Sequence, residues 1–161
     1  MVIQGSCLCG GFVFEIDRAV GPFEICHCAR CRKRSGGSGL PMVGVLPADY
    51  RVLSGEETCV TYEAPLLGRP PAYHSYFCKR CGSPLPPPRP EGWFEIPAGL
   101  FDDDPGTRPD KHIFVELVPA WDVISDSLPQ FDLRQLVRSR RGEELPPDYE
   151  LLTHNGTKIK V

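Results

Sequence analysis

The chain has 161 residues and a formal net charge of -3, with 24% charged and 41% hydrophobic residues. This length and composition fit a single globular domain with a core of its own. The slight negative charge argues against a general nucleic-acid binder. No run approaches the roughly 18 apolar residues that span a bilayer, and the N-terminus lacks the pattern of a secretory signal. We therefore expect a cytoplasmic protein with no membrane partner.

Short β-rich or alternating stretches predict about eight strands. In chain order they are 12–16, 23–27, 40–46, 50–53, 58–62, 74–77, 93–96 and 112–117. Stretches 50–53 and 58–62 flank a glycine-containing segment at 54–57, which predicts that they pair as a hairpin. The many prolines (18) and glycines (16) indicate frequent turns and few long helices. We predict a mainly β fold of short antiparallel strands.

Helical patterns are restricted to two places. Residues 29–34 could form one turn, and Leu133, Leu136 and Val137 have the i, i+3, i+4 spacing of one helix face. Gly142 would end that second helix. The prolines concentrated in residues 84–90 predict a stiff connector, which we interpret as a surface loop of fixed shape.

The eight cysteines are grouped rather than scattered. Cys7-x-Cys9, Cys26-x-Cys28-x-x-Cys31 and Cys78-x-x-Cys81 account for seven, and Cys59 stands alone. Zinc takes four ligands in a tetrahedron, with Zn–S near 2.3 Å. Residues i and i+2 of an extended segment point to the same side, and a tight turn brings the sulfurs of a Cys-x-x-Cys pair together. The first and last pairs therefore predict a closed, structural zinc site.

The middle group offers only Cys26, Cys28 and Cys31. Three protein ligands with one vacant position are typical of a catalytic zinc site, so we predict two zinc ions per chain. His27 lies between two of these cysteines and should point away from the metal. His112 is expected to be packed or hydrogen-bonded.

Basic residues follow the middle group directly: Arg32, Lys33 and Arg34. They would offset the thiolate charge, and they are also candidates for attracting an anionic substrate. Cys59 lies in an alternating strand and is expected to be a buried, small apolar residue.

Three alternatives remain open for the cysteines. Disulfides are compatible with an even cysteine count, although Cys-x-Cys neighbours rarely meet bridge geometry. Iron–sulfur ligation would use spacings that match neither ferredoxin pattern. Both groups could also hold purely structural zinc.

Three motifs carry a resemblance to a known family: Gly5-Ser6-Cys7-Leu8-Cys9-Gly10-Gly11, Cys26-His27-Cys28-Ala29-Arg30-Cys31-Arg32 and Phe77-Cys78-Lys79-Arg80-Cys81-Gly82-Ser83. Together with His112-Ile113-Phe114-Val115 and Leu128-Pro129-Gln130-Phe131, they resemble the glutathione-dependent formaldehyde-activating enzyme family, which includes centromere protein V. The resemblance covers residues 3–131 and makes 132–161 a C-terminal extension. It implies an Mss4-like zinc-binding β fold.

The resemblance also implies a chemistry. It places a structural zinc on Cys7, Cys9, Cys78 and Cys81 and a second zinc on Cys26, Cys28 and Cys31. The implied activity joins formaldehyde to glutathione and is a carbon–sulfur lyase reaction in reverse. We favour an enzyme of this type. The alternatives are a non-catalytic zinc module that carries a thiol or aldehyde or binds another protein, and a nucleic-acid or cytoskeletal binder, which the net charge disfavours.

Overall fold

The computed structural model describes residues 2–64, 73–152 and 158–160, and strands dominate them. The strands are β1 (Ile3–Ser6), β2 (Val13–Ile16), β3 (Phe23–Cys26), β4 (Leu40–Val45), β5 (Tyr50–Ser54), β6 (Cys59–Ala64), β7 (Tyr73–Cys78), β8 (Pro84–Leu85), β9 (Phe94–Pro97), β10 (Lys111–Ile113), β11 (Gln130–Phe131), β12 (Glu150–Leu152) and β13 (Lys158–Lys160). Two α-helices accompany them, α1 (Ala29–Ser35) and α2 (Leu133–Arg141). The prediction of a mainly β fold is confirmed. Among the described residues, neither helix has the length and apolar character needed to cross a membrane.

The described residues form two compact units. The first comprises 2–23, 41–62 and 74–109, and the second comprises 24–40, 63–64, 73, 110–152 and 158–160. Each unit contains one of the cysteine groups. Cys7, Cys9, Cys78 and Cys81 belong to the first unit, and Cys26, Cys28 and Cys31 belong to the second.

The core of the first unit is built on β2, which lies between β1 and β5 in an antiparallel sheet. Phe12, Phe14 and Ile16 are fully buried, because alternate residues of an extended segment face the same side. The ring of Phe14 lies over Gly5, its partner in β1. A Cβ on Gly5 would lie 2.3 Å from Phe14 Cζ, so glycine is required for this approach.

The predicted hairpin between 50–53 and 58–62 is wrong. Both strands exist, but β5 pairs with β2, and β6 pairs with β7. Gly55 adopts a left-handed conformation and is followed by a 3-10 helix over Glu56–Thr58. The Thr58 hydroxyl donates to the Gly55 carbonyl at 2.7 Å. This turn directs the chain to a different sheet instead of back along β5.

Part of the proline run is core rather than surface. β8 pairs antiparallel with β7, with Pro84 opposite Phe77, and Leu85 and Pro86 are fully buried. Proline has no N–H to donate, and it is tolerated here because β8 lies at the edge of its sheet. The interpretation of residues 84–90 as a surface loop is therefore wrong for residues 84–86.

The second unit contains three parallel strands, with β10 between β3 and β11. The predicted strand 112–117 ends early, because Phe114 has a positive φ of 59° and a 3-10 helix follows over Val115–Leu117. Helix α1 occupies the predicted residues. Helix α2 also forms as predicted: a capping box joins Asp132 to Gln135, and Gly142 ends the helix in a left-handed conformation. The division of the chain after residue 131 stays a prediction.

Candidate metal centres

The first sulfur cluster joins two loops of the first unit. Cys7 follows β1, Cys78 ends β7, and the sulfurs of Cys7, Cys9, Cys78 and Cys81 all lie within 4.8 Å of one another. Cys7 Sγ is 3.6 Å from Cys9 Sγ, and Cys9 Sγ is 3.9 Å from Cys78 Sγ. Sulfurs at the corners of a tetrahedron around zinc lie about 3.8 Å apart. The donor set and its spacing therefore fit a zinc ion.

Both loops of this cluster turn on a glycine with positive φ. The Gly10 N–H donates to the Cys7 carbonyl, and the Gly82 N–H donates to the Cys78 carbonyl, both at 2.8 Å. Their φ angles are 66° and 75°, a region that glycine enters without a Cβ clash. Gly11 differs, because a Cβ there would lie 3.2 Å from Cys9 Sγ and 3.3 Å from Arg80 Nη1.

Neighbouring groups favour a thiolate at Cys81 but not at Cys9: the Gly11 N–H lowers the pKa of Cys9, yet contacts with the Cys7, Cys78 and Cys81 thiols raise it to about 11. The Phe12 N–H donates to Cys7 Sγ at 3.3 Å. Ser83 Oγ lies 3.3 Å from Cys81 Sγ, and the hydrogen bonds of Ser83 lower the pKa of Cys81 to about 6. A thiolate is the form that binds metal. Cys81 is thus prepared to bind a cation, and Cys7 and Cys78 are buried.

The second sulfur cluster occupies the junction of β3 and α1 in the second unit. The sulfurs of Cys26, Cys28 and Cys31 lie within 4.8 Å of one another. Among residues 2–64, 73–152 and 158–160, no fourth Cys, His, Asp or Glu joins this group. Cys28 caps α1, with its sulfur accepting from the Cys31 N–H at 3.5 Å. A helix N-terminus and its free N–H groups stabilise an anion.

The second cluster is embedded in apolar surroundings. Cys26 and Cys28 are 7% exposed, and they pack in one buried group with Ile113 of β10 and Leu136 of α2. Hydrogen bonds from the Cys26 and Cys31 thiols lower the pKa of Cys28 well below its usual range. The same contact with Cys28 raises the pKa of Cys26. Negative charge is therefore favoured at Cys28, whose sulfur also accepts the Cys31 N–H.

The basic residues that follow this cluster form the last turn of α1. Arg32, Lys33 and Arg34 occupy it, where cations interact favourably with the helix dipole. Lys33 is exposed. Arg32 Nε is buried without a hydrogen-bond partner in the part of the chain that the structure describes. The positions suit either charge balance or the attraction of an anion.

His27 directs both ring nitrogens to other groups. Its Nδ1 lies 2.8 Å from the Ser38 carbonyl oxygen, and its Nε2 lies 2.8 Å from His112 Nδ1. His112 Nε2 in turn lies 3.0 Å from Asp126 Oδ2. Burial lowers the pKa of His27. Both nitrogens would have to leave these partners before His27 could bind a metal.

Asp126 and Ser38 are functional candidates that the sequence analysis missed. Asp126 Oδ1 accepts the Leu128 N–H at 3.0 Å, a local turn typical of Asp before a Leu-Pro segment. That turn signal was available in the sequence, but the contact of Asp126 with His112 was not.

Cys59 is half-buried and packs against the core of the first unit, and burial raises its pKa. None of the eight cysteines forms a disulfide.

Comparisons with known proteins agree with the motifs. The model of the family described as "Glutathione-dependent formaldehyde-activating enzyme" matches residues 2–117. A Halomonas elongata protein named "Putative glutathione-dependent formaldehyde-activating enzyme" is 32% identical over 125 residues, which cover 75% of this chain and 80% of that protein. A Rhodobacter sphaeroides protein of known crystal structure has 19% sequence identity to this chain and superposes on it with a TM-score of 0.47. The match covers 66% of this chain and 91% of that protein's chain.

Proposed function

This chain belongs to the glutathione-dependent formaldehyde-activating enzyme family, and on that premise we propose that it is a zinc-dependent enzyme that joins a small aldehyde, such as formaldehyde, to the thiol of glutathione or a similar molecule. The thiol sulfur adds to the carbonyl carbon and forms the C–S bond. The C=O double bond becomes a C–O single bond, and the thiol proton ends on that oxygen. The reverse direction is a carbon–sulfur lyase reaction.

The contrast between the two sulfur clusters is the observation that carries the proposal. Four sulfurs saturate a tetrahedral ion, whereas the three of Cys26, Cys28 and Cys31 leave one position that no other Cys, His, Asp or Glu of the described residues fills. Soft thiolate donors favour zinc over magnesium or calcium. Zinc, when bound, supplies a Lewis acid that lowers the pKa of a coordinated thiol or polarises a carbonyl. We assign one zinc to each cluster.

The residues around the three-sulfur cluster have separate tasks in this proposal. Cys26, Cys28 and Cys31 hold the ion. Ile113 and Leu136 pack against these cysteines and exclude water from the buried side of the cluster, which strengthens electrostatic interactions within it. Arg32, Lys33 and Arg34 attract the anionic carboxylates of a glutathione-like thiol and increase its rate of encounter.

The test compares three proteins in one assay. Formation of the S-hydroxymethyl adduct from formaldehyde and glutathione is followed with wild-type protein, with Cys28→Ser and with Cys59→Ser, alongside zinc content and far-UV circular dichroism. We expect wild type and Cys59→Ser to accelerate the reaction and to carry two zinc ions per chain. Cys28→Ser should stay folded, lose the acceleration and retain one zinc.

Two results would contradict the proposal. The first is a wild-type protein that carries two zinc ions yet accelerates no combination of several thiols and aldehydes, which would make it a non-catalytic zinc module. The second is Cys28→Ser with unchanged turnover, which would place the chemistry away from this cluster.

A further inference from the structure

The contacts of His27 and His112 form one continuous chain that ends at an oxygen on each side. One end is the Ser38 carbonyl oxygen, and the other is the Asp126 carboxylate. Both histidine rings are buried, at 2% and 5% exposure, while the Asp126 side chain is 48% exposed. The chain therefore leads from the middle of the Cys26–Cys28 segment to the protein surface.

The partners of His27 indicate its tautomer. The Ser38 carbonyl oxygen can only accept a hydrogen bond, so His27 Nδ1 is the donor to it at 2.8 Å. The other ring nitrogen, Nε2, lies 2.8 Å from His112 Nδ1, and His112 Nε2 lies 3.0 Å from Asp126 Oδ2. The His27 ring is therefore in hydrogen-bond contact at both of its nitrogens.

The same contacts remove the freedom of His27 to rotate. Its backbone N–H donates to the Ile113 carbonyl at 3.0 Å, which ties it to β10. Gly39 lies close to the ring, since a Cβ on this residue would be 3.1 Å from both His27 Nδ1 and His27 Cε1. With the ring held on one side of the extended segment, the side chains of Cys26 and Cys28 face the other side.

We propose that His112 and Asp126 are positioning residues for the three-sulfur centre, which act by holding the His27 ring against the Ser38 carbonyl and thereby fix the direction of the Cys26 and Cys28 sulfurs. Partners that orient a ligand segment contribute about 10- to 100-fold to metal affinity in other sites. The inference rests on the metal centre of the proposed function and is independent of turnover.

The experiment uses zinc-loaded, full-length protein with ¹⁵N-labelled histidine. Ring-nitrogen NMR identifies which nitrogens carry protons, and the chain has only four histidines to assign. Zinc affinity is measured by competition with a chelator, which resolves two equivalents per chain. The variants are Asp126→Asn, which removes the charge from a half-exposed side chain, and Asp126→Glu as the conservative rescue. Asp148→Asn is the control, because it removes the same charge from another exposed side chain of the second unit.

In wild type and Asp148→Asn we expect His27 as the Nδ1–H tautomer and unreduced affinity for both zinc equivalents. Asp126→Asn should weaken one zinc equivalent about 10-fold and leave the other unchanged, and Asp126→Glu should recover part of that affinity. A wild-type His27 with its proton on Nε2 instead, or an unchanged zinc affinity in Asp126→Asn, would overturn the inference. Absence of turnover with both signals intact would overturn only the proposed function.

Discussion

Replacement of Gly55 by alanine tests the close contact between Gly55 and the backbone of Gly11 and Phe12 in the first unit. Gly55 has φ 81°, and an added Cβ would lie 1.7 Å from the Gly11 carbonyl oxygen and 2.9 Å from Phe12 Cα. Both neighbours are backbone atoms, so no flexible side chain can move aside. Gly11 and Phe12 lie in the loop that carries Cys7 and Cys9, which means that any shift is transmitted to the four-sulfur cluster.

The expected loss has two parts. A left-handed conformation destabilises alanine by about 1–2 kcal/mol relative to glycine, and an overpacked site destabilises by about 1–3 kcal/mol. Together they predict a decrease of about 2–5 kcal/mol in the free energy of unfolding, a large share of the roughly 5–15 kcal/mol typical of a whole domain. The affinity of the four-sulfur cluster for zinc should also fall.

Gly106→Ala is the matched control. Gly106 also has a positive φ, of 71°, but nothing lies within 4 Å of the position that a Cβ would occupy there. It should therefore show only the conformational part, about 1–2 kcal/mol. Urea unfolding of the zinc-loaded proteins, with midpoints compared at equal slope, measures both losses. Equal losses in the two variants would refute the steric argument.

Three further predictions concern the first unit. Cys7→Ser removes a buried sulfur from the four-sulfur cluster, and we expect loss of one zinc per chain together with a lower unfolding midpoint; two retained zinc ions would contradict this assignment. The Tyr50 hydroxyl is buried without a hydrogen-bond partner among the described residues, so Tyr50→Phe should be neutral or stabilise by up to about 1–3 kcal/mol in thermal unfolding. Burial raises the pKa of Tyr50. As the pH rises, the Tyr50 hydroxyl therefore ionises in the unfolded chain before it does so in the folded protein. The free energy of unfolding of the wild type should then decrease above about pH 10, and that of Tyr50→Phe should decrease less. Identical pH profiles of the two proteins would contradict this prediction.

Local sequence patterns determined much of this protein. The alternation of Phe12, Phe14 and Ile16 predicts which face of β2 is buried, and the spacing of Leu133 and Leu136 before Gly142 predicts α2. Cysteines two or three positions apart predict sulfur pairs, because the direction of neighbouring side chains follows from the local backbone alone. The preference of zinc for four ligands then predicts that two such pairs combine.

The tertiary structure decided which distant residues meet. β5 and β6 are strands as predicted, but the turn at Gly55 and the competing partners β2 and β7 determine their pairing. His112 lies 85 residues from His27, and Asp126 lies 14 from His112, so no local pattern could place them in one chain. The choice among distant partners depends on the total packing of each arrangement, which only the folded chain reveals.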